Sequence, residues 1–164
     1  NFVSLAIERD KDGSLIHTLE IERKHNGGEL GFYNKRNNDY ARILLPEDAE
    51  LLGITGNDDF EISQLIDYRR QGFTADPDLE RYESRIQKTG NTEIFSEGGK
   101  TVFAFWLIVE PGQEKTVRLK YKTPAYNGIY IQKQPGLKSG FKLIYENNVL
   151  FDESLSSDKN ITLE

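Results

Sequence analysis

The sequence has no cysteine and no methionine among its 164 residues, and it contains only five prolines and one tryptophan. Without cysteine, the chain can form neither a disulfide nor a thiolate nucleophile nor a cysteine-ligated zinc site. It also lacks the run of about 18 apolar residues that a membrane-spanning helix requires. The longest apolar run, at residues 102–109, has eight. We therefore predict a water-soluble piece with no direct membrane insertion.

Charge of one sign is not concentrated in any stretch of the chain. The 21 Lys and Arg residues are interspersed among 27 Asp and Glu residues, and the formal net charge is −6. Nucleic acids and anionic membranes both require a concentrated basic surface. Neither is therefore a predicted partner. The composition, 37% hydrophobic and 29% charged, is that of an ordinary globular domain.

Alternating apolar and polar side chains predict β-strands along most of the chain. Residues 3–7 and 15–21 alternate around Asp12 and Gly13, which is typical of a hairpin. Residues 102–109 are apolar on both faces, so they are predicted to form a central strand covered on both sides. About nine short strands separated by turn residues favour an all-β fold. The predicted architecture is an antiparallel two-sheet β-sandwich of the Ig-like or Greek-key type.

One short helix is predicted around residues 77–88. Asp76 can cap its free backbone amides, Pro77 suits the first helical position, and Gly90 is a natural terminator. An apolar stripe that could lie on a sheet follows at helical spacing: Leu79, Tyr82 and Ile86.

The domain organisation predicted from these patterns is a single β-sandwich over residues 1–151. Residues 57–99 form a loop and helix excursion from it, in which residues 60–66 are interpreted as a strand. The polar tail, residues 152–164, is interpreted as an edge strand or a tag remnant. Because the chain starts at Asn1 without a methionine, it reads as a fragment of a longer protein.

Metal-binding patterns are weak in this sequence. The two histidines, His17 and His25, are too few to make a metal site, and a hydrogen-bonded histidine on the apolar face of a strand is the better interpretation of His17. Asp10 and Asp12 resemble the opening of a calcium loop, but Leu15 stands where that loop requires glycine. We therefore predict a turn there, with no metal and no cofactor.

Catalytic patterns are equally weak. The acid pairs Asp58 with Asp59 and Asp76 with Asp78 could supply the two carboxylates of a glycosidase. Pairs of this kind arise by chance among 27 acidic residues. The sequence also has no nucleophile elbow, phosphate-binding loop or dinucleotide fingerprint. We therefore predict no catalytic residue and no enzymatic activity.

A tyrosine and glutamine strip is the candidate ligand-binding site. Aromatic side chains beside amides can hold a sugar ring by stacking and polar contact. The densest group of this kind comprises Lys133, Tyr126, Tyr130, Gln132 and Gln134. The last three are predicted to share one face of a strand over residues 128–134. The alternative interpretation is an amphipathic strand whose tyrosine covers an exposed sheet.

Three blocks of sequence carry a resemblance to a known family. They are ARILLPEDAELLGITG (41–56), GKTVFAFWLIVEPGQEKTVRLKYKTP (99–124) and IYIQKQPG (129–136). Together they resemble the C-terminal β domain of a family of membrane-anchored bacterial envelope proteins of unknown function, often encoded beside exopolysaccharide or capsule genes. The resemblance implies a location outside the cytoplasm, with an N-terminal anchoring helix that this sequence does not include. It implies no catalytic motif.

Two classes of function follow from these patterns. The first is a non-catalytic structural or interaction module of a cell-envelope protein, whose partner is another protein or another domain of the same chain. The alternative is a glycan-binding module for surface polysaccharide. A polysaccharide-processing enzyme, with residues 67–75 as a lid, is the least favoured.

Overall fold

The computed structural model describes residues 1–29, 31–32, 35–63 and 65–163, and most of these residues lie in β-strands. The strands are β1 (Phe2–Arg9), β2 (Leu15–Lys24), β3 (Asn37–Pro46), β4 (Glu50–Thr55), β5 (Gln87–Thr89), β6 (Thr92–Glu97), β7 (Lys100–Val109), β8 (Glu114–Thr123), β9 (Gly128–Ile131), β10 (Gly140–Tyr145), β11 (Asn148–Ser154) and β12 (Lys159–Thr162). A short 3₁₀ helix (Arg69–Gln71) and the helix α1 (Pro77–Glu83) precede β5. The predicted all-β class with one short α-helix is confirmed.

The strands form sheets of six, four and two members. The six-stranded sheet has the order β11-β10-β1-β2-β8-β4, the four-stranded sheet has the order β3-β7-β6-β5, and β12 pairs with β9. The prediction of purely antiparallel sheets is wrong at one place, because β1 and β10 run parallel. Side chains alternate between faces in both kinds of pairing, so the sequence pattern could not distinguish them.

The core lies between the inner faces of the two larger sheets, which gives the fold a β-sandwich-like character. Phe103 of β7 meets Tyr121 of β8 edge-on, with ring centroids 6.2 Å apart and planes at 67°. This contact joins the four-stranded sheet to the six-stranded sheet directly. The largest fully buried apolar side chains in this core are Phe103, Phe105, Ile7, Leu15, Leu107, Leu119 and Leu143.

Strand β7 is covered on both faces, as its sequence predicts. On the outer face of the four-stranded sheet, which is the face turned away from the core, Val102 and Ala104 are fully buried beside Phe95 and Ile86. Tyr82 of α1 meets the Phe95 ring edge-on at 6.0 Å. The segment around α1 therefore covers one end of this outer face.

Helix α1 ends earlier than predicted. The Asp76 carboxylate accepts hydrogen bonds from the backbone amides of Asp78 (2.8 Å) and Leu79 (3.3 Å), so the predicted cap is confirmed. The helix stops at Glu83 instead of continuing to residue 88, because residues 87–89 pair with β6 as β5. Gly90, with φ 56°, turns this hairpin and does not end the helix. Pairing in the sheet has overridden the local helical pattern.

The 57–99 excursion divides into a sheet part and a surface part. Strands β5 and β6 belong to the four-stranded sheet, so the excursion proper ends before residue 87. The strand predicted at residues 60–66 is wrong for the described residues 60–63 and 65–66, and Gln64 lies outside them. Just before these residues, Asp58 forms an isolated β-bridge with Trp106 of β7.

The C-terminal residues belong to the folded unit. Strand β11 extends to Ser154, and β12 pairs with β9 in antiparallel register. Leu155 and Leu163 are buried in the core. The fold therefore continues past residue 151, through Leu163. Glu164 lies outside the described residues.

Gly56 and Gly13 allow a matched test of the packing between β4 and β8. Both have left-handed backbone conformations, with φ 84° and 85°. A Cβ at Gly56 would collide with the backbone oxygen of Thr116, whereas a Cβ at Gly13 would have no atom within 4 Å. In urea denaturation, Gly13→Ala should cost about 1 kcal/mol through its backbone conformation alone. Gly56→Ala should cost at least about 2 kcal/mol more. Equal losses would contradict the packing described.

Candidate functional site

The four residues of the predicted tyrosine and glutamine strip are divided between the interior and the surface. Tyr126 is half-buried against the core, with its hydroxyl 3.1 Å from Nε2 of His17. Tyr130 is 57% exposed, and its hydroxyl donates to Asp158. Strand β9 ends at Ile131, so the exposed residues Gln132 and Gln134 follow the strand and are not part of it. The structure therefore places Tyr126 toward the interior and Tyr130 toward solvent.

A polar cluster around His17 occupies the core below Tyr126. His17 is fully buried, and its ring stacks on Tyr121 with centroids 4.5 Å apart and planes at 1°. Its Nε2 lies 2.9 Å from the hydroxyl of Thr123. Its Nδ1 has no hydrogen-bond partner within the part of the chain that the structure describes. Burial lowers the pKa of His17 to about 4, so the ring is neutral at pH 7. The hydrogen-bonded histidine expected at this position is confirmed.

The outer face of the six-stranded sheet is a surface of paired charges. Glu20 of β2 lies opposite Arg118 of β8, and the Arg118 Nε donates to the Glu20 carboxylate at 2.6 Å. Lys122 donates to Asp12 at 2.7 Å, and this contact is the largest cause of the lowered pKa of Asp12. Two basic side chains of β8, Arg118 and Lys122, are therefore paired with acidic neighbours.

The acid pairs considered from the sequence have structural partners. Asp76 caps α1, and Asp78 accepts from Arg81 at 2.8 Å. Asp58 accepts from the backbone amide of Ile108 at 2.7 Å and from Lys115 at 2.5 Å. These contacts occupy three of the four carboxylates. Within residues 1–29, 31–32, 35–63 and 65–163, no group of three metal-ligating side chains comes together.

A groove of about 220 Å³ lies on the outer face of the four-stranded sheet. Tyr40 of β3 stands opposite Trp106 of β7, and their ring centroids are 5.0 Å apart. Phe60 meets Trp106 edge-on at 4.8 Å, because the Asp58 bridge to β7 holds this segment against the sheet. The groove is thus bordered by three aromatic rings from separate parts of the chain.

The polar edge of this groove is partly fixed by internal contacts. The hydroxyl of Tyr40 donates to Glu93, and Lys88 lies 3.5 Å from the other carboxylate oxygen of Glu93. Burial and the Glu93 carboxylate raise the pKa of Tyr40, so it remains a hydroxyl donor at neutral pH. Asp59 and Glu61 also line the groove and have no hydrogen bond or ion pair within the described residues.

Residues 62–85, which we name the outer segment, form the second distinctive surface. Every described residue in it is exposed. Several large apolar side chains are among them: Ile62 (71% exposed), Leu65 (98%), Ile66 (44%), Tyr68 (53%), Phe73 (63%), Leu79 (55%) and Tyr82 (41%). The segment has local order, since Phe73 contacts Tyr68 edge-on at 5.8 Å and donates its backbone amide to the Tyr68 carbonyl.

Sequence reasoning did not identify the groove. The alternation along β7 does place Trp106 on the face opposite Phe103 and Phe105, which was an available signal. The pairing of Tyr40 with Trp106 depends on the register between β3 and β7, and these strands are separated by β4 and by the whole 57–99 excursion. Nothing in the local sequence pattern around Phe60 indicates that its ring packs against Trp106.

Comparisons of the chain with protein-family models, with curated proteins and with solved structures found no match. In the described part of the chain, no helix has both the length and the apolar character needed to cross a membrane.

The buried His17 predicts a loss of stability in mild acid. Its folded pKa of about 4 lies below the ordinary value of 6.5, so the unfolded chain binds the proton more tightly. The stabilisation is complete above pH 6.5 and is lost as the pH falls toward 4. We expect the free energy of unfolding, measured by urea denaturation, to fall by about 3 kcal/mol across this window.

His17→Gln should remove most of this pH dependence, because glutamine does not titrate there. The control His25→Gln changes the other histidine, which lies on the loop after β2. This variant should retain the pH dependence of the free energy of unfolding. An unchanged slope in His17→Gln would contradict the assignment.

Proposed function

We propose that this chain is a non-catalytic interaction module of a bacterial cell-envelope protein, acting outside the cytoplasm, and that it binds another protein through the outer segment. The observation that carries this proposal is the exposure of large apolar side chains in that segment, with Leu65 at 98%, Ile62 at 71% and Phe73 at 63%. Exposed apolar patches of this kind mark sites of association. The location rests on the resemblance of the three sequence blocks.

Burial against a partner would favour binding. A fully buried Leu, Ile or Phe side chain contributes about 1.5 to 3 kcal/mol relative to an exposed one. The local hydrogen bonds of the segment lower the conformational cost of association, since part of the backbone is already ordered. Asp67 accepts from the amide of Arg70 at 3.1 Å, and Asp76 caps α1. Parts of the segment are thus ordered before it binds.

The rest of the surface supports the choice of this segment. The outer face of the six-stranded sheet is covered by cross-strand ion pairs such as Glu20 with Arg118, and a partner that docked there would have to desolvate charges. The absence of catalysis is part of the proposal, supported by the structural roles of Asp58, Asp76 and Asp78. The Ig-like or Greek-key subclass is likewise proposed, supported by the crossing of the chain between the two larger sheets from β3 to β4 and from β7 to β8.

Site-specific photocrosslinking in the source organism tests this proposal. A benzophenone amino acid at Leu65 or Phe73 of the full-length protein should give a light-dependent adduct with one other protein. The same amino acid at Glu22 or Lys120, on the outer face of the six-stranded sheet, should give none. Excess purified domain should abolish the adduct by competition.

The competitor itself provides the matched control. A domain carrying Ile62→Ser, Leu65→Ser and Phe73→Ser keeps the core intact and should no longer compete. Equal adducts at all four positions, or full competition by the triple variant, would contradict the proposal. An adduct of twice the mass of the protein would identify the partner as a second copy and would contradict it as stated.

A further inference from the structure

The groove on the outer face of the four-stranded sheet has the composition of a small-ligand site. Its floor includes Trp106, which is half-buried, and Tyr40, which is 39% exposed. Binding sites for small molecules commonly combine aromatic walls with a few polar groups that fix orientation. The volume of about 220 Å³ is below that of sites for drug-sized molecules and suits a single ring.

The contacts around the groove hold its aromatic floor in place. Phe60 and Tyr40 both pack on Trp106, at 4.8 and 5.0 Å between ring centroids. Because neighbours on two sides restrict the indole, its remaining surface is presented in one orientation. The Tyr40 hydroxyl is likewise fixed by donation to Glu93. A ligand would therefore meet a floor that needs little ordering.

The polar groups at the edge match the chemistry of a sugar. A pyranose ring has faces of C–H groups, which pack on aromatic rings, and a periphery of hydroxyls, which need hydrogen-bond partners. Here the rings of Trp106 and Tyr40 lie beside the carboxylates of Glu93, Asp59 and Glu61. Carboxylates accept hydrogen bonds from hydroxyl groups, and those bonds are stronger than bonds between neutral groups.

The charge at the edge of the groove determines whether a basic or an acidic sugar is preferred. Glu93 is paired with Lys88 and Asp58 with Lys115, whereas Asp59 and Glu61 have no cationic partner among the described residues. These two carboxylates would repel an acidic sugar and attract an ammonium group. We propose that the groove binds a single sugar ring and that it prefers an amino sugar to an acidic one.

This proposal is independent of protein binding by the outer segment. The groove is lined by residues of β3, β5, β6, β7 and the turn between β5 and β6, together with residues 58–61. None of these residues lies in the outer segment. Either proposal can therefore fail without the other.

Trp106 is the only tryptophan of the chain, so its fluorescence reports directly on the groove. The purified domain is titrated at constant ionic strength with glucosamine, N-acetylglucosamine and glucuronic acid. We expect saturable changes in emission at millimolar sugar, with glucosamine bound most tightly, N-acetylglucosamine next and glucuronic acid unbound. No saturable change with any of the three sugars up to about 50 mM, or equal affinity for glucosamine and glucuronic acid, would overturn the proposal.

Two pairs of variants locate the site. The double substitution Asp59→Asn and Glu61→Gln should weaken glucosamine binding by about threefold to tenfold, the effect of removing two exposed ion pairs. Glu22→Gln, a distant control, should not weaken it. Tyr40→Ala should abolish the response, whereas Leu44→Ala, on the same face of β3 but outside the groove, should keep it. Loss of binding in either control would overturn the assignment.

Tetramethylammonium chloride distinguishes a sugar from a simple cation. Aromatic rings beside carboxylates can also bind quaternary ammonium groups. If the groove recognises the sugar ring, this ion should change Trp106 emission far less than glucosamine does at the same concentration. An equal response would mean that the groove recognises only a positive charge that can contact aromatic rings. The proposal for a sugar would then be wrong.

Discussion

The fold depends on β7, a strand that carries apolar side chains on both faces and therefore needs both faces covered. Phe103, Phe105 and Leu107 fill the core between the two larger sheets, and Val102 and Ala104 on the other face are also fully buried. Burial of apolar area is the main favourable term in folding. The four-stranded sheet therefore needs an additional layer outside the sandwich. The chain supplies it from the connection between β4 and β5, through the Phe60 region at one end and the residues after α1 at the other.

That outer layer covers only part of the four-stranded sheet and leaves apolar side chains of its own exposed. Both proposed sites lie at these exposed apolar surfaces. Between Phe60 and the α1 region, Trp106 and Tyr40 keep part of their surface exposed in the groove. The connection itself contributes no buried side chain within residues 62–63 and 65–85, so its apolar residues remain available for a partner. The outer face of the six-stranded sheet instead carries ion pairs such as Glu20 with Arg118. The two faces of the sandwich thus present different kinds of surface.

Much of the local structure could be predicted from the sequence, whereas the long-range arrangement could not. The two-sided apolar run of β7, the hairpin at Gly13 and the cap at Asp76 are local patterns, and the structure has all three. The parallel pairing of β1 with β10 and the contact of Phe60 with Trp106 join distant residues, and alternation does not encode register between strands. The position of Tyr126 likewise depends on a distant residue, since its hydroxyl lies 3.1 Å from Nε2 of His17. Tyr126 and Tyr130 are close in sequence, but Tyr126 precedes the strand and is drawn inward by His17.

We propose that residues 62–75 are maintained for binding and not for folding, since every described residue among them is exposed. The most direct test is to replace residues 62–75 with a Gly and Ser sequence of equal length and to measure the free energy of unfolding in urea. The expected change is within about 1 kcal/mol, as for surface substitutions that remove no buried contact. A loss of about 3 kcal/mol or more, the size expected when core packing is removed, would show that these residues support the fold and would contradict the proposal.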